Sequence, residues 1–256
     1  MVLCKKYAGS FFLLSVIFFS IFYGYLNLNY NWQWYRVPAF LFTIENGYLV
    51  PGMLMEGLGI TLKVSFLGLV FSMVTGFSTA LMRFSSSPVL NVLCRVYIET
   101  VRNTPLLILI CIIYFVISPV IGLSPFASAV LALSLFEGAY ASEIIRSGIE
   151  TIPRGQWEAA QSLGLSVPDI YLKVILPQVM RQALPILAGQ SVSLVKDSAL
   201  VSTIAIHDLT MQGQRIVSDT FLTFEIWFTV AACYFAITAS LSFLISRLEH
   251  KFMFVD

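Results

Sequence analysis

The chain has 256 residues, of which 58% are hydrophobic and only 11% are charged, and its formal net charge is +1. Soluble domains are roughly 45–50% apolar and about 25% charged, so the composition excludes an ordinary soluble domain and indicates an integral membrane protein. The near-neutral charge provides no field that would favour nucleic acid as a partner. The four cysteines are scattered, which favours apolar filler over a metal or disulfide site.

Six apolar runs are predicted to be membrane-spanning helices, because a helix needs about 20 mostly apolar residues to cross a bilayer. They cover residues 11–28, 57–82, 96–117, 125–145, 183–206 and 224–245. Strands of a membrane barrel would alternate apolar and polar residues, and these runs do not. The predicted fold is therefore all-α, a polytopic membrane bundle of about six helices.

The first run follows Lys5 and Lys6, as the apolar part of a signal peptide would. Its length, and the lack of an A-x-A site after it, favour an uncleaved anchor. We therefore expect residues 1–50 to form an N-terminal anchor with an outside loop, and residues 51–256 to form the main membrane domain.

Lysine and arginine are distributed unequally between the predicted loops. With the N-terminus in the cytoplasm, only Arg36 and Arg215 lie in outside loops. The excess of inside charges predicts that both termini and the polar stretch 149–177 are cytoplasmic. The segment His207-Asp208-Leu209 then lies outside, either as a contact for a soluble partner or as an ordinary solvated loop.

The stretch 149–177 interrupts the apolar chain with a helix-compatible sequence. Pro153 suits the first turn of a short helix, because its missing N–H is no loss there. Helical spacing predicts that one face of this helix carries Trp157, Ala160, Gln161 and Gly164. Gly164 either ends the helix or permits a close backbone approach.

A second short helix is predicted to follow. Ser166 and Asp169 have capping-box-like spacing at its start, and Pro177 limits it. Two interpretations of the whole elbow remain open on physical grounds. It is either an amphipathic turn at the membrane interface or, given its Ala-Ala pair and an exposed Trp157, a knob that fits a groove on another protein.

The spacing of this stretch resembles a known signature. Glu158-Ala159-Ala160, Gly164 and the V-I-L-P of residues 174–177 resemble the E-A-A-x-x-x-G-x(9)-I-x-L-P signature of permease subunits of bacterial ABC importers, with Val174 in place of Ile. We call residues 149–177 the E-A-A loop. Three further segments resemble motifs of the polar amino-acid permeases in the same order: RNTPL at 102–106, GAYASEIIRSGI at 138–149 and KDSAL at 196–200.

The resemblance, which covers about residue 57 to the C-terminus, implies the type I ABC importer permease fold and a transport function. It implies a subunit that moves a polar amino acid across the bacterial inner (cytoplasmic) membrane. Two permease subunits, identical or homologous, form the pathway. ABC ATPase subunits bind the E-A-A loops, and an extracytoplasmic amino-acid-binding protein delivers the substrate. The chain lacks a G-x-x-x-x-G-K-[ST] phosphate loop, so we expect no enzyme activity and no cofactor in it, with ATP bound by the partner subunits.

Roles for the coupling residues follow from their chemistry. Glu158 is a candidate for an ion pair with a basic residue of the ATPase, since leaving one partner of a buried pair alone costs about 3–5 kcal/mol. Ala159, Ala160 and Gly164 keep the helix slim enough to seat in a groove. Trp157 is a candidate apolar anchor, because interface hot spots favour tryptophan.

Ionisable and hydroxyl side chains inside the runs are candidates for the substrate pathway, because charges at membrane depth are costly and usually functional. Glu137 and Lys196 would complement the ammonium and carboxylate of an amino acid. Asp197, Ser198 and Thr61 are further candidates. Alternatively, Lys196 and Asp197 pair with each other or with neighbouring helices. Glu143 is expected to form a structural pair with Arg146 or Arg102.

Two other classes of protein remain as alternatives. An ion-driven secondary amino-acid carrier would show inverted repeats with broken midplane helices, and no such internal symmetry is visible. An intramembrane enzyme would need a paired nucleophile and base, or a metal cluster, within the runs. The sequence shows neither arrangement, and with only two histidines and no H-E-x-x-H a metal site is not expected.

Overall fold

The computed structural model describes residues 30–253 apart from 46 and 86, together with residues 15–16, 18–20 and 22–24. Side chains are described to residue 247, apart from that of residue 45. The predicted first span, 11–28, therefore lies largely outside the described residues. The chain forms two compact units, Met1–Tyr35 and Arg36–Asp256. Within the first unit, the rings of Trp32 and Trp34 stack with centroids 6.1 Å apart.

The second unit begins with a short helix and a β-hairpin. Helix α1 covers Val37–Leu41, with Pro38 in its first turn. Strands β1 (Phe42–Glu45) and β2 (Tyr48–Pro51) pair antiparallel, with Phe42 opposite Pro51 and Glu45 opposite Tyr48. This two-stranded ladder was not expected from the sequence, and it is the one departure from an all-α fold among the described residues.

Helices form most of the remaining described chain. They are α2 (Met53–Met82), α3 (Pro88–Arg102), α4 (Leu106–Cys111), α5 (Ser118–Ile121), α6 (Pro125–Glu150), α7 (Arg154–Ser162), α8 (Val167–Asp169), α9 (Leu176–Asp197), α10 (Leu209–Thr220) and α11 (Thr223–Met253). A π-helical segment, Ile112–Ile117, joins α4 to α5, and another, Ile170–Ile175, joins α8 to α9. A 3-10 segment, Ser198–Ile204, follows α9. The fold is all-α and polytopic, as predicted.

Three helices among the described residues are individually long and apolar enough to cross a membrane: Met53–Met82, Pro125–Glu150 and Thr223–Arg247. They contain the predicted spans 57–82, 125–145 and 224–245, whose positions are confirmed. Local signals set their starts. Ser124 accepts a hydrogen bond from Ala127 N at 3.2 Å, and Pro125 follows it, so α6 has both a side-chain cap and a proline in its first turn.

The predicted span 96–117 is not one straight helix. The pair Pro88–Arg102 and Leu106–Ile121 passes the same test only together, and the two parts meet at 111°. Asn103 ends α3 by donating its side-chain amide to Glu99 O at 2.7 Å. Pro105 then stands before α4, where its ring and missing N–H prevent continuation of α3. The break falls inside the RNTPL segment.

The predicted span 183–206 also differs from the observed structure. Helix α9 begins earlier, at Leu176, ends at Asp197, and continues as a 3-10 segment to Ile204. Pro185 lies inside α9. This helix is not among those that are individually long and apolar enough to span.

Helices α2 and α6 pack closely along small residues. A Cβ added at Gly76 would lie 2.7 Å from Ala141 Cβ, and one added at Gly138 would collide with Thr75 Oγ1. Thr75 donates a hydrogen bond to Ser134 O at 3.2 Å. Helices in lipid associate through such small-residue contacts and interhelical hydrogen bonds, because lipid supplies no hydrophobic drive for them to meet.

Candidate functional site

Helix α7 carries the Glu-Ala-Ala sequence, and its two ends are defined by local geometry. Pro153 lies just before the helix, at the cap position rather than inside the first turn. At the other end, Gly164 N donates to Gln161 O at 2.9 Å and Leu165 N donates to Ala160 O at 3.3 Å. This pair of hydrogen bonds is a Schellman motif.

Gly164 is the left-handed residue of that motif. Its φ is +71°, a conformation that side chains with a Cβ rarely adopt, and a Cβ built there would meet nothing within 4 Å. Of the two predicted roles, the structure therefore gives Gly164 the role of ending the helix. No described part of the chain approaches residue 164 closely enough to require a glycine there.

The faces of α7 differ from the predicted arrangement. Ala160 is only 3% exposed and packs in a cluster of the chain's own residues. The expected exposure of Trp157 is wrong, because its half-buried ring meets the Tyr171 ring edge to face at 5.1 Å. Burial raises the pKa of Tyr171. Glu158 and Ala159 are exposed, as the prediction of an outward contact requires.

Leu163, the C-cap residue of α7, is a residue that the sequence analysis did not single out. Its side chain is 80% exposed at the end of α7, next to Gly164. An exposed leucine needs no explanation alone, but this one extends the surface formed by Glu158 and Ala159. We call these three residues the outer face of α7. Helical spacing relates Leu163 to Ala159 at i+4, so the signal was present in the sequence.

The second half of the E-A-A loop starts as predicted and continues differently. Ser166 caps α8 by accepting from Asp169 N at 3.4 Å, and it donates to Asp169 Oδ2 at 2.6 Å. Lys173 Nζ lies 2.6 Å from Asp169 Oδ1, and this hydrogen bond lowers the pKa of Asp169. The prediction that Pro177 limits the helix is wrong, because the chain runs through the π segment into α9, where Pro177 occupies the first turn.

A group of ion pairs lies where α6 leads into the E-A-A loop. Glu143 accepts from Arg83 Nη1 at 2.8 Å and from Arg146 Nη2 at 2.6 Å, and Arg146 also pairs with Glu150. The predicted partner Arg146 is therefore confirmed, and Arg83 was missed. The alternative partner Arg102 is wrong, because its guanidinium lies over the Tyr140 ring at 5.1 Å.

A cavity of about 350 Å³ opens beside these ion pairs. It lies between the end of α6 and the first half of α9, and its polar lining comes from Glu143, Arg146, Ser147, Thr151 and Gln182. Thr151 Oγ1 and Gln182 Oε1 are 3.0 Å apart and link the two helices across it.

The predicted pathway residues differ widely in how deeply they are buried. Glu137 is 5% exposed on α6 and interacts electrostatically with Asp197, which is half-buried at the end of α9. It makes no hydrogen bond or ion pair with any residue in the described part of the chain. Lys196, the residue before Asp197, is exposed. Ser198 is fully buried and donates to Val195 O at 2.7 Å.

Thr61 supports a helix start. It is fully buried, and its Oγ1 accepts a hydrogen bond from Leu209 N, the first residue of α10, at 3.1 Å. Asp208 caps the same helix by accepting from Met211 N at 2.9 Å. Of the segment expected to be an outside contact, Asp208 and Leu209 are fully buried and only His207 is exposed.

Asp208 belongs to a polar group that joins α10 to α11 and, through Thr61, to α2. Tyr234 of α11 donates to Asp208 Oδ2 at 3.5 Å, and its hydroxyl lies 3.0 Å from Thr210 Oγ1. Burial outweighs these hydrogen bonds and raises the pKa of Asp208 to about 6. The signal in the sequence was an aspartate directly before an amphipathic helix, which is a preferred cap.

Comparisons with known proteins agree with this architecture. Residues 68–253 match the family described as the inner membrane component of binding-protein-dependent transport systems. The chain is 38% identical over 200 residues to the probable glutamine ABC transporter permease protein GlnP of Bacillus subtilis (strain 168), covering 77% of this chain and 92% of that protein. It is 36% identical over 199 residues to the L-cystine transport system permease protein TcyB of the same organism, covering 77% and 84%.

A solved structure supports the same assignment. The crystal structure of an amino acid ABC transporter with histidines superimposes with a TM-score of 0.72 at 37% identity, covering 78% of this chain and 94% of that chain. An inward-facing structure of the MetNI methionine ABC transporter has a TM-score of 0.69 at 19% identity, which shows a shared fold alone. The chain belongs to the family of inner membrane components of binding-protein-dependent transport systems.

Proposed function

We propose that this chain is the membrane-spanning permease subunit of an ATP-driven ABC importer for a polar amino acid. Family membership and the glutamine and cystine permeases among its relatives support the proposal. The observation that carries it is α7, a short helix packed from behind by the chain's own residues and exposed on its outer face. An ion-driven carrier has no soluble motor subunit that would use such a helix.

The outer face of α7 is the proposed contact with the ATPase. Glu158 supplies a charge for a basic residue of the ATPase, and Ala159 allows close approach. Leu163 takes the role of apolar anchor that the sequence suggested for Trp157. Trp157, Ala160 and Gly164 act from the chain's own side, by holding the helix in place and ending it.

The remaining partners follow from the transport mechanism. The chain has no phosphate loop, so ATP is bound by the ATPase subunits. A second permease subunit, either a copy of this chain or a homologue, completes the pathway, and an extracytoplasmic binding protein delivers the amino acid. The distribution of lysine and arginine supports a cytoplasmic E-A-A loop and cytoplasmic termini in a multi-pass protein of the inner membrane, surrounded by lipid.

Within the pathway, Glu137 and Asp197 are the proposed acceptors for the ammonium group of the substrate. Glu137 is buried and Asp197 is half-buried, and the negative charge of Asp197 acts on Glu137, which favours a positively charged ammonium group near them. Lys196, which is exposed in the structure of this one chain, is the proposed contact for the substrate carboxylate. Ser198 contributes by holding the turn that carries Lys196 and Asp197, where it donates to Val195 O, and Thr61 contributes by accepting from Leu209 N at the start of α10.

Reconstitution into proteoliposomes tests the proposal. The permease is purified with its ATPase and binding protein, and uptake of radiolabelled L-glutamine or L-cystine is measured with ATP inside the vesicles. We expect uptake to require ATP. Uptake that persists without ATP and follows an imposed ion gradient would refute the function.

A variant at the outer face of α7 tests the coupling surface. Leu163→Asp is expected to weaken ATPase binding by about 2 kcal/mol, or roughly 30-fold, because a buried anchor is replaced by a charge. Leu163→Met keeps an apolar side chain and is the matched control. Equal ATPase affinity of the Asp and Met variants in a binding titration would show that Leu163 lies outside the interface.

A further inference from the structure

The two residues that follow α2 contact two different parts of the molecule. The helix ends at Met82, and the next two side chains go to different elements. Arg83 reaches Glu143 on α6, and Phe84 reaches Tyr171 on the π segment that follows α8. Both side chains are half-buried. Consecutive residues at one helix end therefore contact the base of the E-A-A loop and its interior.

The Arg83 contact fixes α2 to α6. Glu143 receives Arg83 on Oε2 and Arg146 on both oxygens, with Arg146 Nε donating to Oε2 at 3.1 Å and Nη2 to Oε1 at 2.6 Å. Hydrogen bonds between ionised groups are roughly twice as strong as neutral ones. Glu143 is thus held from two directions at the point where α6 leads into the E-A-A loop.

The Phe84 contact leads to α7. The Phe84 and Tyr171 ring centroids are 5.8 Å apart, and Tyr171 meets Trp157 of α7 at 5.1 Å. All three rings pack against the cluster that contains Ala160. Trp157 directly precedes Glu158 of the outer face. A displacement of that face is therefore transmitted through direct ring contacts to Tyr171 and Phe84.

The contact passes through an unusual stretch of backbone. Tyr171 belongs to the π segment Ile170–Ile175, and π-helical turns occur frequently at functional sites. Ala160 of α7 also packs in a cluster that includes residues of α2 and α6. Phe84 adds a ring contact between the end of α2 and the π segment that packs against α7.

We propose that Phe84 and Arg83 are positioning residues that carry the displacement of α7 into α2. Helix α2 also carries Thr75, which abuts Gly138 next to Glu137, so movement of α2 reaches this buried carboxylate. The inference rests on the proposed function, because it needs an ATPase to move α7. It adds an intramolecular route, and it assigns Trp157 to that route.

The ratio of ATP hydrolysed to amino acid imported tests this route. The assembled transporter is reconstituted in proteoliposomes with its ATPase and binding protein, and the probe is radiolabelled L-glutamine, or L-cystine if glutamine is not imported. Phe84→Ala is expected to raise the ratio about fivefold, within the range by which residues between two sites alter their coupling. Arg83→Gln is expected to act in the same direction, and Arg83→Lys is expected to retain most of the coupling.

Matched variants separate this role from general destabilisation. Phe84→Tyr keeps the ring and should restore the wild-type ratio. Phe66→Ala removes a ring from the same helix, where Phe66 is 65% exposed, and should leave the ratio unchanged. If Phe84→Ala does not assemble, Phe84→Leu, which keeps apolar volume without a ring, carries the same test.

The expected measurements distinguish failure of this inference from failure of the proposed function. A wild-type ratio in Phe84→Ala, or an equal rise in Phe66→Ala, overturns the inference while the proposed function stands. A wild-type chain that neither binds the ATPase nor imports an amino acid with ATP contradicts the proposed function itself. A raised ratio in Phe84→Ala that Phe84→Tyr restores supports the route.

Discussion

Asp208→Asn tests whether a buried charge is an energetic cost to this fold. Burial raises the pKa of Asp208 to about 6, against an ordinary value of 3.8. A shift of about two pH units corresponds to about 3 kcal/mol at 1.4 kcal/mol per unit. Asparagine caps helices about as well as aspartate, so the variant keeps the bond from Met211 N and loses the charge.

The sign of the pH dependence follows from the same shift. Between about pH 4 and pH 6 the folded protein retains a proton that the unfolded chain has released. The contribution of Asp208 to stability therefore falls as the pH rises through this window and is constant above it. We expect Asp208→Asn to equal the wild type near pH 4 and to exceed it by up to about 3 kcal/mol above pH 7.

Thermal unfolding of the purified protein in nanodiscs, followed by tryptophan fluorescence from pH 4.5 to 7.5, measures this difference. Comparing variant and wild type at each pH removes the contribution of other titrating groups. Asp208→Ala is the control, because it also removes the cap and should be about 1 kcal/mol less stable than the asparagine variant. A lower melting temperature for Asp208→Asn at pH 7.5, or a difference independent of pH, would refute the reasoning.

Two further predictions follow from the E-A-A loop and the pathway. Gly164→Ala should destabilise the protein by about 1–2 kcal/mol, because residue 164 has a positive φ. The control Gly155→Ala, at a position with open space and an ordinary φ, should not destabilise it. Equal melting temperatures of the two variants would contradict this prediction. Glu137→Gln should reduce substrate uptake in proteoliposomes while ATPase binding is retained, and unchanged uptake would exclude Glu137 from the pathway.

The sequence predicted those parts of the fold that depend on local chemistry. Long apolar runs located α2, α6 and α11, and the Ser166 cap and the Gly164 helix end followed from residue type. The hairpin was also within reach, because the Asn46-Gly47 dipeptide is a strong signal for a two-residue turn. This segment was instead assigned to an outside loop, without a secondary structure of its own.

Other features depend on contacts between distant parts of the chain. Helical spacing placed Trp157 and Ala160 on one face, but it could not tell whether that face meets a partner or Tyr171 of the same chain. The bend after α3 reflects Asn103 and Pro105 inside a run whose hydropathy is continuous. The pairing of Glu143 with Arg83, 60 residues away, has no local signature.

The backbone contact between α2 and α6 limits how this subunit changes shape. A Cβ at Gly76 would be 2.7 Å from Ala141 Cβ, so at this point the helices have no side chain that could change rotamer to let one slide past the other. Well-packed interfaces of this kind do not deform continuously. We therefore expect the two helices to travel as a rigid body, with the hinge of the transport cycle located elsewhere.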